Sequence, residues 1–270
     1  MRIVKTSLEA AQLQHAPQAV VAFRRELAQG ELLERHSHPR GQLLYAVEGV
    51  MQVRTPQGLW MIPPQRALWA PPDVPHEIRM LSKVSMRTLY ISAEACSALP
   101  VQCQLLDVSG LLRELILALL AETRAVDEQG RANYLAQLIL SEIAAAAPIP
   151  IVIPWPRDRR LIQLCEAVLQ QPGSNFTLEQ WAELAGASAR TVIRLFPRET
   201  GLHFRHWLQQ VHIAEALLRL SRAETVERIA TALGYKSASA FTAMFRSVLG
   251  KTPSQYVNMT RSNKQLIRNR

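Results

Sequence analysis

Cysteine is scarce in this chain: Cys96, Cys103 and Cys165 are three thiols in 270 residues. An odd number with no close pairing excludes a disulfide framework and metal-type cysteine pairs, so they read as reduced structural side chains. No apolar run reaches the length that crosses a bilayer, which excludes a membrane-spanning helix and a membrane partner. The opening segment MRIVKTSLEAAQ lacks the uninterrupted apolar core of a secretory leader. The expected compartment is therefore the cytoplasm. Net charge is missing from more than half of the sequence. Residues 1–156 hold 14 basic and 14 acidic side chains, the remainder of 31 and 22 once the 17 and 8 from residue 157 onward are removed. The whole formal surplus of +9 lies in the rest of the chain. A neutral half beside a basic half is the electrostatic footprint of a polyanion-binding domain carried next to a partner domain.

The basic half contains one structure written twice. Residues 177–208 read TLEQWAELAG-ASARTVIRLF-PRETGLHFRHWL, and residues 225–257 read TVERIATALG-YKSASAFTAMF-RSVLGKTPSQYV. Thr177, Ala182 and Gly186 stand 48 residues before Thr225, Ala230 and Gly234 (225−177). After one extra residue in the second turn, Phe196, Gly201 and Trp207 stand 49 before Phe245, Gly250 and Tyr256 (245−196). A repeat that keeps its turn glycine and its aromatic anchors is one supersecondary unit used twice. Each copy reads as helix, tight turn, helix. Thr177 and Thr225 are N-caps of the first helices, with Gln180 placed for a reciprocal bond to Thr177. Leu178, Trp181, Ala182 and Ala185 recur at helical spacing, as do Val226, Ile229, Ala230 and Leu233. Gly186 and Gly234 suit the left-handed residue at a chain reversal. Ser188 and Ser237 then cap second helices that are free to enter a DNA major groove.

A single copy would fit an ordinary pair of packed helices equally well. Two copies in fixed register on a basic segment resemble the DNA-binding domain of the AraC/XylS family of bacterial transcription regulators. The resemblance covers residues 158–261 and is carried by Ile229-Ala230, Gly234-Tyr235, Ser237, Phe241, Phe245-Arg246, Gly250 and Thr252-Pro253-Ser254-Gln255-Tyr256. It implies two helix-turn-helix units reading adjacent major-groove segments of duplex DNA. The candidate contacts in the first unit are Ser188, Ala189, Arg190, Ile193 and Arg194. Those in the second are Ser237, Ala238, Ser239 and Thr242. Arg246 and Lys251 read as phosphate contacts. An arginine in the major groove can bond both acceptors of a guanine edge, so Arg190 and Arg194 are the expected readers, with phosphate contact the alternative for Arg194. The short side chains of the second unit reach less far, which gives the first unit most of the specificity. Three residues depart from the family pattern: His212 for a usual arginine, Ala243 on the second reader helix, and Pro197. Pro197 lies inside the first reader helix and is expected to kink or shorten it.

From residue 20 to residue 91 the pattern is β. Short runs at 43–47, 50–54, 67–70 and 85–91 are separated by Pro and Gly signals, with a hairpin expected at Pro56-Gln57-Gly58. Pro63-Pro64 and Pro71-Pro72 exclude long central strands there. Many short strands at this spacing suggest a small barrel or jelly roll. Gly30, His36-Ser37-His38, Gln42 and Gly49, followed by Pro71, Asp73 and His76, resemble the two motifs of cupin barrels. Gln42 stands where metal-binding cupins usually have Glu, and Asp73 where they usually have Gly. His36, His38 and His76 would then converge and could hold a divalent metal. Against a required cofactor, an amide is a poor replacement for a carboxylate. The favoured reading makes His36, His38, Gln42 and His76 polar anchors of a small-molecule effector pocket, walled by Tyr45, Trp60 and Trp69.

Segments 106–120 and 132–147 read as helices split by a polar break at 127–130. Their apolar faces cover the barrel, and the family resemblance implies a homodimer contact for the surplus. Four prolines in residues 148–156 forbid helix and favour an extended connector. The expected architecture is an α+β multidomain chain: a cupin-like β-barrel (1–100), a helical dimerisation segment (101–147), a connector (148–156), an all-α double helix-turn-helix domain (157–261) and a basic tail (262–270). The expected function is a cytosolic, effector-responsive, sequence-specific transcription regulator with no enzymatic activity, whose partners are double-stranded DNA and RNA polymerase. The alternatives are a metal-dependent cupin enzyme joined to a DNA-binding module, and a non-specific DNA binder.

Overall fold

The computed structural model describes residues 2–4, 8–64, 66–122, 130–149 and 152–258 and divides into two compact units, Met1–Pro150 and Ile151–Arg270. The tail 262–270 and most of the polar break, 127–129, lie outside the described residues. The first unit runs β1 (Arg2–Ile3), α1 (Leu8–Gln12), β2 (Val20–Leu27), β3 (Glu31–His36), β4 (Gly41–Glu48), β5 (Met51–Thr55), β6 (Gly58–Ile62) and β7 (Arg66–Ala70). It continues with β8 (His76–Met80), β9 (Val84–Ile91), β10 (Gln104–Asp107), α2 (Gly110–Ala121), α3 (Arg131–Ala145) and β11 (Pro148–Ile149).

These strands form two sheets rather than the closed barrel the spacing suggests. One has the order β1-β3-β8-β5-β6 and the other β11-β10-β7-β4-β9-β2. The proline pair explains the split between β6 and β7. β6 stops at Ile62, Pro63 and Pro64 can donate no ladder hydrogen bonds, and β7 begins at Arg66 in the other sheet. The predicted hairpin is present, with Thr55 opposite Gly58.

The second sheet has a two-sided core. Leu43, Tyr45, Trp69, Leu89 and Ile91 pack in one cluster with Leu112, Ile116, Ile139 and Ile143 of α2 and α3. Each such side chain contributes roughly 1.5–3 kcal/mol by leaving water. The alternate residues Gln42, Thr88 and Tyr90 lie on the opposite face, because side chains along a strand change sides at every step. The first long helix starts later than its apolar pattern suggests. Residues 104–107 are taken into β10 beside β7, and Ser109 caps α2 by accepting from the Leu112 amide.

Among the described residues, the regular elements of the second unit are helices: α4 (Arg159–Gln170), α5 (Leu178–Leu184), α6 (Ala189–Thr200), α7 (Phe204–Ser221), α8 (Val226–Ala232) and α9 (Ala238–Leu249). The proline-rich segment is held at both ends. Pro148 and Ile149 pair with β10, while the Pro154 carbonyl accepts from the indole N–H of buried Trp207 at 2.8 Å.

Candidate nucleic-acid interface and histidine cluster

The caps and turns of the two helix-turn-helix copies correspond. Thr177 and Thr225 accept from the Gln180 and Arg228 amides, and Ser188 and Ser237 accept from those of Thr191 and Ala240. Gly186 and Gly234 take φ of 64° and 74°, the left-handed region that glycine enters without steric cost. Just beyond them, the amides of Ala187 and Tyr235 bond the carbonyls of Ala182 and Ala230 at 2.9 Å each. The reader helices α6 and α9 are both 12 residues long and close on Gly201 and Gly250, at φ 72° and 71°. Pro197 therefore does not shorten α6. Its missing N–H would have bonded the carbonyl of Ile193, on the exposed side of the helix, where water can substitute.

On α6, Val192 and Phe196 are buried, while Arg190, Ile193 and Arg194 are exposed and Ala189 is half-buried beside its exposed cap Ser188. Ile193 is 59 % exposed, an unusual place for a large aliphatic side chain unless an apolar group meets it there. On α9, Phe241, Met244 and Phe245 are buried; Ser239, Arg246 and the cap Ser237 are exposed, with Ala238 and Thr242 half-buried. Lys251 is exposed just past the helix. Each predicted contact residue thus lies on, or at the rim of, the open face of its reader helix.

In the first unit, three imidazoles meet. Ring centroids are 4.4 Å apart for His36 and His76, 5.2 Å for His38 and His76, and 6.0 Å for His36 and His38. One candidate ligand nitrogen from each lies within 4.8 Å of the others. The convergence does not come from simple strand alternation. Leu33 opposes Ile78 and His36 opposes His76, so β3 advances three residues while β8 advances two. That bulge turns His36 onto the face of His76, and His38 lies just past the end of β3. Asp73, where cupins usually have glycine, has φ 61°, and its amide bonds the His38 carbonyl at 2.9 Å. Aspartate tolerates this left-handed geometry better than most residues, so the turn keeps its shape.

The hydrogen bonds fix which atoms remain free. Each Nδ1 faces a backbone carbonyl: His36 that of Glu34 at 2.7 Å, His38 that of Arg40 at 2.7 Å and His76 that of Val74 at 2.9 Å. A carbonyl only accepts, so each Nδ1 carries its proton and each neutral ring keeps its Nε2 lone pair. Burial favours the neutral form of two of these rings, holding the His76 pKa down to about 3 and lowering that of His38. Gln42 is oriented by a second chain. The Thr88 hydroxyl donates to the Leu43 carbonyl, so it must accept from Gln42 Nε2 at 3.0 Å. Gln42 Oε1 then faces His38 Nε2 at 3.1 Å, one acceptor against another. His76 Nε2 is buried with no partner. A set of converging lone pairs of this kind fits a cation.

Not all the predicted pocket residues come together. Tyr45 and Trp69 are on the helix-covered face of their sheet, and Trp69 donates its indole N–H to the Pro100 carbonyl at 2.7 Å. They belong to the core between sheet and helices, not to the wall around the histidines. Trp60 does share the histidine face. It opposes Val53, which opposes Ile78, two residues from His76, and its N–H donates to Thr55 Oγ1 at 2.9 Å. Tyr90, absent from the predicted set, packs edge-on against His38 at 5.2 Å. Its sequence signal was parity: Tyr90 opposes Gln42, so the two share a face.

The profile of a family described as "AraC-like ligand binding domain" matches residues 19–139, and that of a "Helix-turn-helix domain" matches residues 181–259. HTH-type transcriptional regulator NimR of Escherichia coli (strain K12) is 34 % identical over 89 % of this chain and 88 % of its own length. The chain belongs to the AraC family of transcription regulators. This AraC-family chain is a DNA-binding regulator with an N-terminal ligand-binding domain and a C-terminal helix-turn-helix domain. HTH-type transcriptional activator RhaR of Klebsiella pneumoniae subsp. pneumoniae is 27 % identical, over 56 % of this chain and 55 % of its own length. Among solved structures, fatty-acid-bound ToxT from Vibrio cholerae is 13 % identical and covers 88 % of this chain and 94 % of its own, with a TM-score of 0.36.

Proposed function

We propose that this regulator reads a specific operator mainly through Arg190, Ile193 and Arg194 of α6, and that occupancy of the histidine face of its first unit sets its output. The observation that carries the reading is the pair of matched reader helices, each with its predicted contact residues at its open face on the one strongly basic unit. In this reading α9 contributes Ser237, Ala238, Ser239 and Thr242 as short-range contacts, while Arg246 and Lys251 meet phosphates. The protein acts in the cytoplasm, recruits or hinders RNA polymerase, and has no catalytic role. The apolar side chains left open on α2 and α3, namely Leu111, Leu138 and Tyr134, support a homodimer. Immunoprecipitating the full-length protein with fragments of its own genome tests the reading. A shared motif that blurs with Arg190→Ala is expected, and uniform recovery of unrelated fragments would sink it.

A second reading concerns what the first unit binds. The opposed lone pairs of Gln42 and His38 and the unpartnered His76 Nε2 favour a borderline divalent cation, such as zinc, nickel or copper. His36, His38 and His76 would hold it through Nε2, with Gln42 Oε1 as a weak fourth donor. Such an ion would supply a fixed positive charge to which an organic effector can attach. Equilibrium dialysis of the full-length protein against zinc checks this: one ion per chain, lost in His76→Leu, is expected. Equal uptake by both proteins would leave the histidines as polar anchors of an organic effector.

A further inference from the structure

The two reading units are linked by more than the helix between them. Residues 172–175 join α4 to α5, at the entrance of the first unit, yet they sit against the turn of the second. A Cβ on Gly173 would lie 1.9 Å from the Ala232 carbonyl oxygen, and one on Gly234 would lie 2.6 Å from Asn175 Oδ1 and 2.8 Å from the Gly173 carbonyl oxygen. Backbone meets backbone there, and the position admits no side chain. Beside this contact the buried His212 of α7 reaches both parts. Its Nε2 lies 2.8 Å from the Pro172 carbonyl, and its Nδ1 lies 2.9 Å from the Tyr235 hydroxyl. Because the carbonyl can only accept, Nε2 bears the hydrogen; Nδ1 of the neutral ring is then an acceptor, and Tyr235 donates to it. Tyr235 also packs edge-on against Phe241 of α9 at 5.5 Å and stands two residues before Ser237, the cap of the second reader helix.

We propose that His212, held between Pro172 and Tyr235, is a positioning residue that fixes the second reader helix relative to the first, so that the two half-sites are read only at one spacing. None of the residues of this joint is among the predicted DNA contacts. Its effect on binding comes from rigidity: two linked modules reinforce each other only while the linkage holds both in reach of their sites. A stiff joint penalises any change in the distance between half-sites, and a loosened one tolerates it. Arginine, the usual residue here in the family the sequence resembles, has donors only. It could not accept from Tyr235, so this chain's joint uses a bond that needs an acceptor at this position.

The test selects duplexes from a random-sequence pool with the full-length protein, then measures affinity for the selected site, for the same site with one base pair inserted between its halves, and for each half alone. For the wild type the insertion is expected to cost roughly tenfold or more, the scale of one lost base-pair contact. Tyr235→Phe keeps the ring and removes the donor. It is expected to cut the penalty to about threefold while leaving single-half affinity unchanged, since only the linkage is affected. His212→Gln alone, which can both donate to Pro172 and accept from Tyr235, is expected to retain the wild-type penalty. The inference is overturned if Tyr235→Phe retains the full penalty, if it weakens each half-site as much as the whole, or if the wild type selects one undivided half-site. A wild type that selects no sequence at all sinks the operator reading, and this inference with it.

Discussion

Single side chains in this protein divide between those that hold the fold and those kept at a cost to it. Trp69 is fully buried and hydrogen-bonded, so Trp69→Ala should lower stability by about 3–5 kcal/mol in denaturant titration. His76 is also buried, but its Nε2 meets nothing. His76→Leu should therefore leave the ion-free protein equally stable or more so, a pattern typical of residues retained for function. His212 gives a pH signature. Burial lowers its pKa from the ordinary 6.5, so the folded protein refuses a proton that the unfolded chain accepts. Stability is complete above about pH 6.5 and falls as the pH drops below it, because the unfolded state then binds more protons. The denaturation midpoint of the second unit should decline on acidification, and His212→Gln should flatten that decline.

At the scale of elements, steric fit decides more than propensity. Gly173 has no unusual backbone angle; it is required because the Ala232 carbonyl occupies the space a methyl group would need. Gly173→Ala should destabilise the second unit by roughly 1–3 kcal/mol in thermal or denaturant unfolding, as overpacking does elsewhere. This joint was not legible in the sequence, since nothing in local spacing shows that residues 172–175 approach residue 232. The caps and turn glycines were legible, because each is satisfied within a few residues of chain. The pocket walls mark a different shortfall. Gln42 and Tyr45 are three apart on one strand, so a period of two already places them on opposite faces, and Trp69 follows Tyr45 through its pairing with Leu43. Leu106 and Asp107 were misread as helix because an apolar run beside a helical stripe carries no mark of the strand it will join. The bulge in β3 was likewise invisible, and the histidine cluster was expected only from the resemblance to the cupin motifs.

For the whole molecule, the segregation of charge governs binding. With its surplus of nine on one unit, DNA affinity should fall steeply with salt, as counterions released from phosphates are lost from the balance. Arg190→Ala and Arg194→Ala separate the two roles an arginine can take. A base reader costs about 1–3 kcal/mol at one operator position and leaves the salt slope unchanged, whereas a phosphate contact weakens all sequences alike and lowers the slope by about one. Titrations at several salt concentrations, on matched and mismatched operators, distinguish them. The sensing unit is set by finer means. Adding one residue between Leu33 and His36, with the one-residue bulge kept, would place the residue before His36 opposite His76 and turn the His36 ring outward, with all three histidines still in the gene. Members of a lineage could thus lose or regain this chemistry by a three-nucleotide insertion or deletion, while the operator they recognise stays the same.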